Sequence, residues 1–95
     1  GDIVLNASSG DAGLAAATLT STGGNISINS SDVVTVNNAV VNGSGDVNIS
    51  AGTSISGTAA DITSGGSLAL SAAGGDASLG NSRLTSTGGG ISLSS

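Results

Sequence analysis

The stretch Gly45-Asp46-Val47-Asn48-Ile49-Ser50-Ala51 carries the pattern that decides the fold. A glycine and a polar or small residue are followed by aliphatic residues at alternate positions, and Ala or Ser closes the unit. Further copies of the pattern start at residues 1, 24, 66 and 89, so successive copies start 21 to 23 residues apart. Such a period is typical of solenoid proteins, in which each copy forms one turn. It predicts turns over residues 1–23, 24–44, 45–65 and 66–88, and a partial turn over 89–95.

Each copy contains three short segments that alternate between aliphatic and polar residues. In the first copy, Ile3, Leu5 and Ala7 form the first alternation, residues 12–14 the second, and residues 18–20 a third with one aliphatic residue at its centre. A period of two indicates strands that are buried on one side. Glycine, serine and asparagine between the segments indicate corners. We expect the glycine that opens each copy to supply a positive φ there.

When the copies are superposed, their aliphatic residues fall into columns that repeat from turn to turn. The columns predict an all-β fold, a right-handed parallel β-helix (a three-sided β-solenoid) with 21–23 residues per turn. An antiparallel sandwich of hairpins also has alternating strands, but it does not predict columns. Gly57 interrupts one column and would leave a small void unless Ile55 or another neighbour leans across it.

Five core ladders are predicted, two from the first strand of each copy, two from the second and one from the third. The first strands give Ile3, Ile26, Val47, Leu68 and Ile91, and Leu5, Ile28, Ile49, Leu70 and Leu93. The second strands give Ala12, Val34, Ile55 and Ala77, and Leu14, Val36, Gly57 and Leu79. The third strands give Leu19, Val41, Ile62 and Leu84.

The composition argues against several classes of function. The net charge is −5 and only one residue is basic, so the chain lacks the positive surface that nucleic acids and anionic membranes attract. It contains no His, no Cys and no aromatic residue, and no apolar run approaches the roughly 20 residues of a membrane helix. We therefore expect no cofactor, no nucleic-acid partner and no membrane insertion. Because the segment begins and ends inside the repeat, we expect it to belong to a longer chain.

The acidic residues do not converge in the predicted stack. Asp2 and Asp46 share a column, but Asn25 lies between them, which places the two carboxylates about 10 Å apart. Glycosidases need two carboxyl groups on either side of one bond, and metal sites need several ligands together. The sequence thus predicts no catalytic residues, no metal site and no enzyme. Arg83 falls in the column of Asp61, which predicts a surface ion pair between adjacent turns, worth under about 1 kcal/mol.

The units at residues 1–7, 45–51 and 66–72 resemble the repeats of filamentous-haemagglutinin-type adhesins, the large exoproteins of bacterial two-partner secretion. The resemblance spans the whole chain and rests on composition and period. It implies a secreted or surface-tethered β-helical fibre that crosses an outer-membrane partner unfolded and folds outside. Relatives of this kind include host-cell adhesins and biofilm-matrix adhesins that bind exopolysaccharide.

We therefore expect shaft material of a secreted adhesin, which mediates attachment between cells, to surfaces or to matrix. Its hydroxyl- and amide-rich faces are expected to bind exopolysaccharide or host glycan weakly, with strength from multivalency. The alternative is a filament subunit whose open ends stack on copies of itself. An ice-binding solenoid is a more distant alternative, since Val40, Asn42, Asp61 and Arg83 interrupt the Thr-x-Thr array that this activity requires.

Overall fold

A computed structural model describes residues 2–94 of the chain, and these residues contain 13 β-strands and no helix. Gly1 and Ser95, which open the first and close the last predicted turn, lie outside the described residues. The strands are β1 (Ile3–Ala7), β2 (Ala12–Ala15), β3 (Thr18–Ser21), β4 (Ile26–Ser30), β5 (Val34–Asn37), β6 (Val40–Gly43), β7 (Val47–Ala51), β8 (Ile55–Thr58), β9 (Asp61–Ser64), β10 (Leu68–Ala72), β11 (Ala77–Gly80), β12 (Arg83–Ser86) and β13 (Ile91–Ser94).

The strands form three parallel sheets, one for each side of the molecule. The first face contains β1-β4-β7-β10-β13, the second β2-β5-β8-β11, and the third β3-β6-β9-β12. Every strand pairs with the equivalent strand one turn away, so that Ile49 lies between Ile28 and Leu70 in register. The predicted three-sided parallel β-solenoid, about four turns long, is confirmed.

The aliphatic columns of the first face form one wall of the interior. Ile26, Val47 and Leu68 of the first column are at most 1% exposed. Ile3, which belongs to the outermost strand of this column, is only half-buried. Burial therefore depends on having a turn on both sides, as expected where each repeat contacts only its neighbours.

The last members of the two first-face ladders do not lie in the core. Ile91 and Leu93, which the sequence predicts as core residues, are 47% and 48% exposed. They are in register with Leu68 and Leu70 on β10, but β13 has a paired strand on one side only. Register alone does not bury a side chain, because a covering turn is also needed.

The third face contributes a single aliphatic column to the interior. Leu19, Val41, Ile62 and Leu84 lie in register along β3, β6, β9 and β12, as the sequence predicts. Val41 and Ile62 in the middle turns are fully buried. Leu19 and Leu84 in the outer turns are only partly buried, although both pack against the core. The predicted ladder is therefore continuous, and position in the stack again sets the burial of each member.

The differences in repeat length are absorbed at two of the three corners of each turn. The second corner always has two residues, whereas the first and third corners each have four residues in the first and fourth turns and three in the turns between. The four-residue corners are 8–11, 22–25, 73–76 and 87–90, and the three-residue corners are 31–33, 44–46, 52–54 and 65–67.

The corner pattern coincides with a longer repeat in the sequence. Residues 19–24 recur letter for letter as residues 84–89, and residues 10–12 recur as residues 75–77, in both cases 65 residues later. That distance is three turns, which is also the interval after which the four-residue corners return. The first and fourth turns thus share corner lengths and sequence that the two turns between them lack.

The expectation that glycine supplies the positive φ at corners was wrong. Among residues 2–94, no glycine has a positive φ, and the left-handed residue is the first of each second corner, namely Ala16 (53°), Asn38 (54°), Ala59 (55°) and Asn81 (53°). The glycines serve close approach instead, because a Cβ at Gly65 would overlap the backbone carbonyl of Ser44 in the turn below. Gly52 stands in the same relation to Ser31.

Two further details of the interior differ from the sequence-based expectation. The third strand has a second inward position, at which Ser21 and Ser64 are buried. Gly57 leaves no void, because a Cβ there would lie 2.7 Å from Leu79 Cδ2 and 2.8 Å from Val36 Cγ2. The column neighbours, rather than Ile55, occupy the space that glycine leaves.

The left-handed corner gives a first prediction. Replacing Ala59 by Asn is expected to raise the free energy of unfolding by up to about 1 kcal/mol, because Asn tolerates this conformation better than other non-glycine residues. Asn38 and Asn81 already occupy the same corner position. Urea unfolding followed by circular dichroism measures the change. The control is Ala73→Asn at an exposed corner position without a positive φ, where no gain is expected; an equal gain there would contradict the explanation.

Candidate functional site

A ladder of side-chain oxygens joins the third corners of successive turns. Asp2 Oδ1 accepts a hydrogen bond of 2.8 Å from the backbone N–H of Asn25, and Asn25 Oδ1 accepts one of 2.8 Å from the N–H of Asp46. Asp46 Oδ1 then accepts a bond of 2.8 Å from the N–H of Ser67. Asp2 and Asp46 thus lie two turns apart with Asn25 between them, and both support the backbone of the next turn.

Gly45 and Gly66, which precede two of the ladder residues, make room for these bonds. A Cβ at Gly45 would collide with Asn25 Oδ1, and a Cβ at Gly66 would collide with Asp46 Oδ1. The recurring dipeptide of Gly and a polar residue is therefore explained by packing between turns. The sequence pattern showed this dipeptide but not the reason for it.

The ladder gives a second prediction. Replacing Asp46 by Ala is expected to lower the free energy of unfolding by about 1 kcal/mol, since the Ser67 N–H loses its acceptor at an exposed corner. Asp46→Asn keeps the oxygen and should cost much less. Chemical denaturation of both variants provides the measurement. Equal losses for the two variants would show that charge, and not the hydrogen bond, matters at this position.

Buried hydroxyl groups fasten first and third corners from inside. Ser64 Oγ donates to the carbonyl of Gly45 at 3.0 Å and lies 2.8 Å from the carbonyl of Ser67. Ser30 Oγ donates to the carbonyl of Gly10 at 2.7 Å and accepts from the Asp32 N–H at 3.0 Å. Within residues 2–94, no buried side-chain nitrogen or oxygen lacks a partner. The interior therefore offers no unsatisfied group to a ligand.

Some outward polar side chains of the first face form hydrogen bonds within the protein. Asn29 Nδ2 donates to Asn6 Oδ1 at 3.1 Å and lies 3.4 Å from Ser27 Oγ. The bond between Asn29 and Asn6 connects the first two turns and forms the stacked Asn pair that parallel register favours.

Among residues 2–94, the third face carries the longest run of outward polar side chains that make no hydrogen bond within the protein. It has four members, against three on the first face (Ser50, Ser71 and Ser94). Thr20, Asn42, Thr63 and Thr85 lie in register on its four strands and are exposed or half-buried. In the part of the chain that the structure describes, their side chains form no hydrogen bond. Their spacing is about 4.8 Å, the distance between neighbouring strands.

The outward columns of the second face are less continuous than this row. Gly13 begins one of them, and the other begins with Ala15 and ends with Gly80. Because these residues bring no polar side chain, only shorter rows remain there, namely Thr35, Ser56 and Ser78 in one column and Asn37 and Thr58 in the other. The row of Thr20, Asn42, Thr63 and Thr85, here called the third-face row, is therefore the candidate binding surface.

A second outward column runs beside the third-face row and is mixed in chemistry. It contains Thr18, Val40, Asp61 and Arg83, in register and exposed. Asp61 and Arg83 are direct partners on β9 and β12, as the sequence predicts, while an ion pair between them stays a prediction. Together, the column and the third-face row give a Thr-x-Thr pair only in the first turn. This arrangement does not favour ice binding, which requires a repeated array.

The acidic residues and one surface hollow among residues 2–94 are the other features that could form a binding site. The described acidic residues form no group of three or more that could hold a metal ion. One hollow is mainly apolar and lies at the outer side of the first turn, where Leu5, Ala12, Leu14 and Ile28 line it. Leu5, Ala12 and Leu14 are core residues of the first turn that lack a covering turn, and Ile28 is the buried core residue next to them, so the hollow is the open end of the interior.

The sequence alone does not single out the third-face row. Thr20, Thr63 and Thr85 stand out as threonines, and Asn42 was considered there only as an interruption. What distinguishes the row is that its groups remain unbonded, while the side chains of the corner ladder and of the stacked Asn pair do not. Only the positions of the side chains show this difference. The sole available signal was the outward alternation of β3, β6, β9 and β12.

Comparisons with known proteins do not assign the chain to a family, so only its fold can be used to classify it. No family model matches the chain, and no curated protein or solved structure shows a significant match. The described residues also contain no helix that is long and apolar enough to cross a bilayer. The class of protein that the structure defines is a parallel β-solenoid repeat protein with three sides.

Proposed function

We propose that this segment is shaft material of a secreted bacterial adhesin of the filamentous-haemagglutinin type. In this role it forms part of a cell-surface or matrix fibre that holds cells to one another, to surfaces or to a biofilm matrix. Export through an outer-membrane partner by two-partner secretion is part of the same proposal. The observation that carries it is the regular stacking of like turns, which extends a polar surface along one axis.

The ligand that best suits this surface is a neutral polysaccharide. Hydroxyl and amide groups of the third-face row pair with sugar hydroxyls, and the net charge of −5 disfavours polyanions. There is no aromatic residue on which a sugar ring could stack, so each contact is weak. Affinity then comes from many turns that engage one polymer at once.

A binding experiment on the 95-residue chain tests this assignment. The chain is coupled at high density to a sensor surface, and neutral polymers such as dextran, galactomannan and a soluble glucan are passed over it. The double variant Thr20→Val with Thr63→Val removes two hydroxyls of the third-face row and keeps strand-favouring residues. It should weaken polymer binding by about tenfold, the loss expected for about 1.4 kcal/mol from two hydrogen bonds.

The matched control is Thr35→Val with Thr58→Val on the second face, which makes the same chemical change at two outward positions. Binding by the control should equal that of the parent chain. If both double variants lose the same polymer affinity, the third-face row is not the polymer-binding surface. If none of the neutral polymers binds even at high density, the glycan-binding part is wrong and only the spacer role is left.

End-to-end assembly is the second candidate, and exposed apolar residues favour it. Ile91 and Leu93 on β13 are exposed, and the hollow at the first turn is lined by core residues. Copies or neighbouring turns of a longer chain would cover both ends with strand pairing. Size-exclusion chromatography and electron microscopy over a concentration series test this. A monomer at every concentration excludes self-assembly of this segment.

A further inference from the structure

One dipeptide on the third face has a reactivity that the binding proposal does not use. Asn42 is followed by Gly43, and this is the only Asn-Gly pair in the sequence. The Asn42 side chain is exposed and makes no hydrogen bond within the described residues, whereas Gly43 is buried. An asparagine side chain and the next backbone nitrogen are the two reactants of intramolecular deamidation, and a following glycine hinders their approach least.

The reaction needs only water as a co-reactant. The backbone nitrogen of Gly43 attacks Cγ of Asn42, a Cγ–N bond forms, and the Cγ–Nδ2 bond breaks. The amide nitrogen leaves as ammonia with the proton that the backbone nitrogen gives up. Water then opens the five-membered succinimide at one of its two carbonyls. The product is aspartate, or isoaspartate, in which the main chain continues through the former side chain.

The folded stack holds the two reactants apart. The carbonyl of Gly43 accepts a hydrogen bond of 2.8 Å from the Gly65 N–H, so this residue faces β9. The N–H and C=O of a strand residue point to the same neighbour, which directs the Gly43 nitrogen toward β9 as well. Packing also fixes Gly43, because a Cβ there would lie 2.9 Å from Val47 Cγ2. Attack on Asn42 therefore requires β6 to leave the sheet.

The isoaspartate product is incompatible with that sheet. It adds one carbon to the main chain in β6, which pairs with β3 on one side and β9 on the other. An added backbone atom shifts the following residues relative to both partners, and register determines which side chains enter the core. A chain that reacts before folding thus loses correct pairing at the second turn.

We propose that Asn42-Gly43 is a self-modification site that folding protects, so that deamidation at Asn42 records the time the chain spends unfolded. The site is independent of the glycan and adhesin proposals, since it depends only on the strand pairing of β6. Time spent unfolded converts Asn42, whereas the stacked protein keeps it.

Deamidation rates in the folded and unfolded chain test the proposal. The 95-residue protein is incubated at mildly alkaline pH with and without denaturing urea, and tandem mass spectrometry follows each asparagine. In urea, Asn42 should react fastest, well ahead of Asn48, which also lies on a strand but precedes the bulky Ile49. Without urea, the rate at Asn42 should fall by roughly a hundredfold, because reaction then requires opening of the strand.

Two variants and a refolding experiment complete the test. Asn42→Thr, which matches Thr20 and Thr63 in its column, should show no reaction at this position and retain the fold. After dilution from urea, the folded fraction should be depleted in isoaspartate at residue 42, while Asn42→Asp should refold, since its main chain is normal. Equal rates at Asn42 with and without urea, equal rates at Asn42 and Asn48 in urea, or folded protein rich in isoaspartate would each overturn the proposal.

Discussion

Replacing Gly65 by Ala is expected to lower the free energy of unfolding by about 3 kcal/mol, the upper end of the usual cost of overpacking. The added Cβ would overlap the backbone carbonyl of Ser44 and lie 2.9 Å from the Ser44 carbonyl carbon. A flexible side chain can move aside, but backbone in the middle of a stack cannot move without disturbing the turns around it. The 2.8 Å hydrogen bond from the Gly65 N–H to the Gly43 carbonyl holds the same corner in place.

Gly13→Ala is the matched control for this substitution. Gly13 lies on an outward strand position, and a Cβ there would meet nothing within 4 Å. Because alanine restricts the unfolded chain more than glycine does, Gly13→Ala should be neutral or stabilise by up to about 1 kcal/mol. Urea unfolding curves for both variants, compared at equal slope, give the difference. If Gly65→Ala is as stable as Gly13→Ala, close approach between turns is not the reason for the corner glycines.

Ile49→Ala should have a comparable or larger effect, a loss of about 4 kcal/mol. Ile49 is 1% exposed and lies in the central turn, between Ile28 below and Leu70 above. No aromatic residue is available to fill the resulting cavity, and the rigid columns on either side limit collapse. The free energy of unfolding from chemical denaturation is the quantity to measure.

Position in the stack provides the control for that prediction. Leu93 belongs to the same column as Ile49, but it is 48% exposed at the end of the described stack. Leu93→Ala should therefore cost less than half as much as Ile49→Ala, since roughly half of its apolar surface is already in water. Similar losses at both positions would contradict a stability that depends on the turns above and below.

The fold was readable because two periodicities agree. Alternation places Ile26 and Ile28 on one side of a strand, and the repeat places Val47 and Ile49 above them. Neither pattern alone separates a solenoid from a sandwich, but together they leave one arrangement. The composition alone excluded a large basic surface and a large aromatic surface, because the chain has one basic residue and no aromatic residue.

The corner chemistry could not be read in this manner. Glycine at a corner suggests a positive φ, yet Ala59 and Asn81 adopt it while Gly65 does not. The distinction depends on which atoms of the adjacent turn lie beside each Cα, and that distance is absent from a one-dimensional pattern. The third-face row could not be recognised for the same reason. Whether a polar side chain is bonded or free depends on residues a whole turn away.

By itself, the sequence determined the strand alternation, the turn length and the aliphatic columns, because these depend on local periodicity and on burial of apolar surface. Only the tertiary structure decided why Gly45 and Gly66 are glycines, how Asp46 and Ser64 fasten the corners, and which polar side chains remain available to a ligand. These features depend on contacts between residues about twenty positions apart, whose geometry exists only once the turns have stacked.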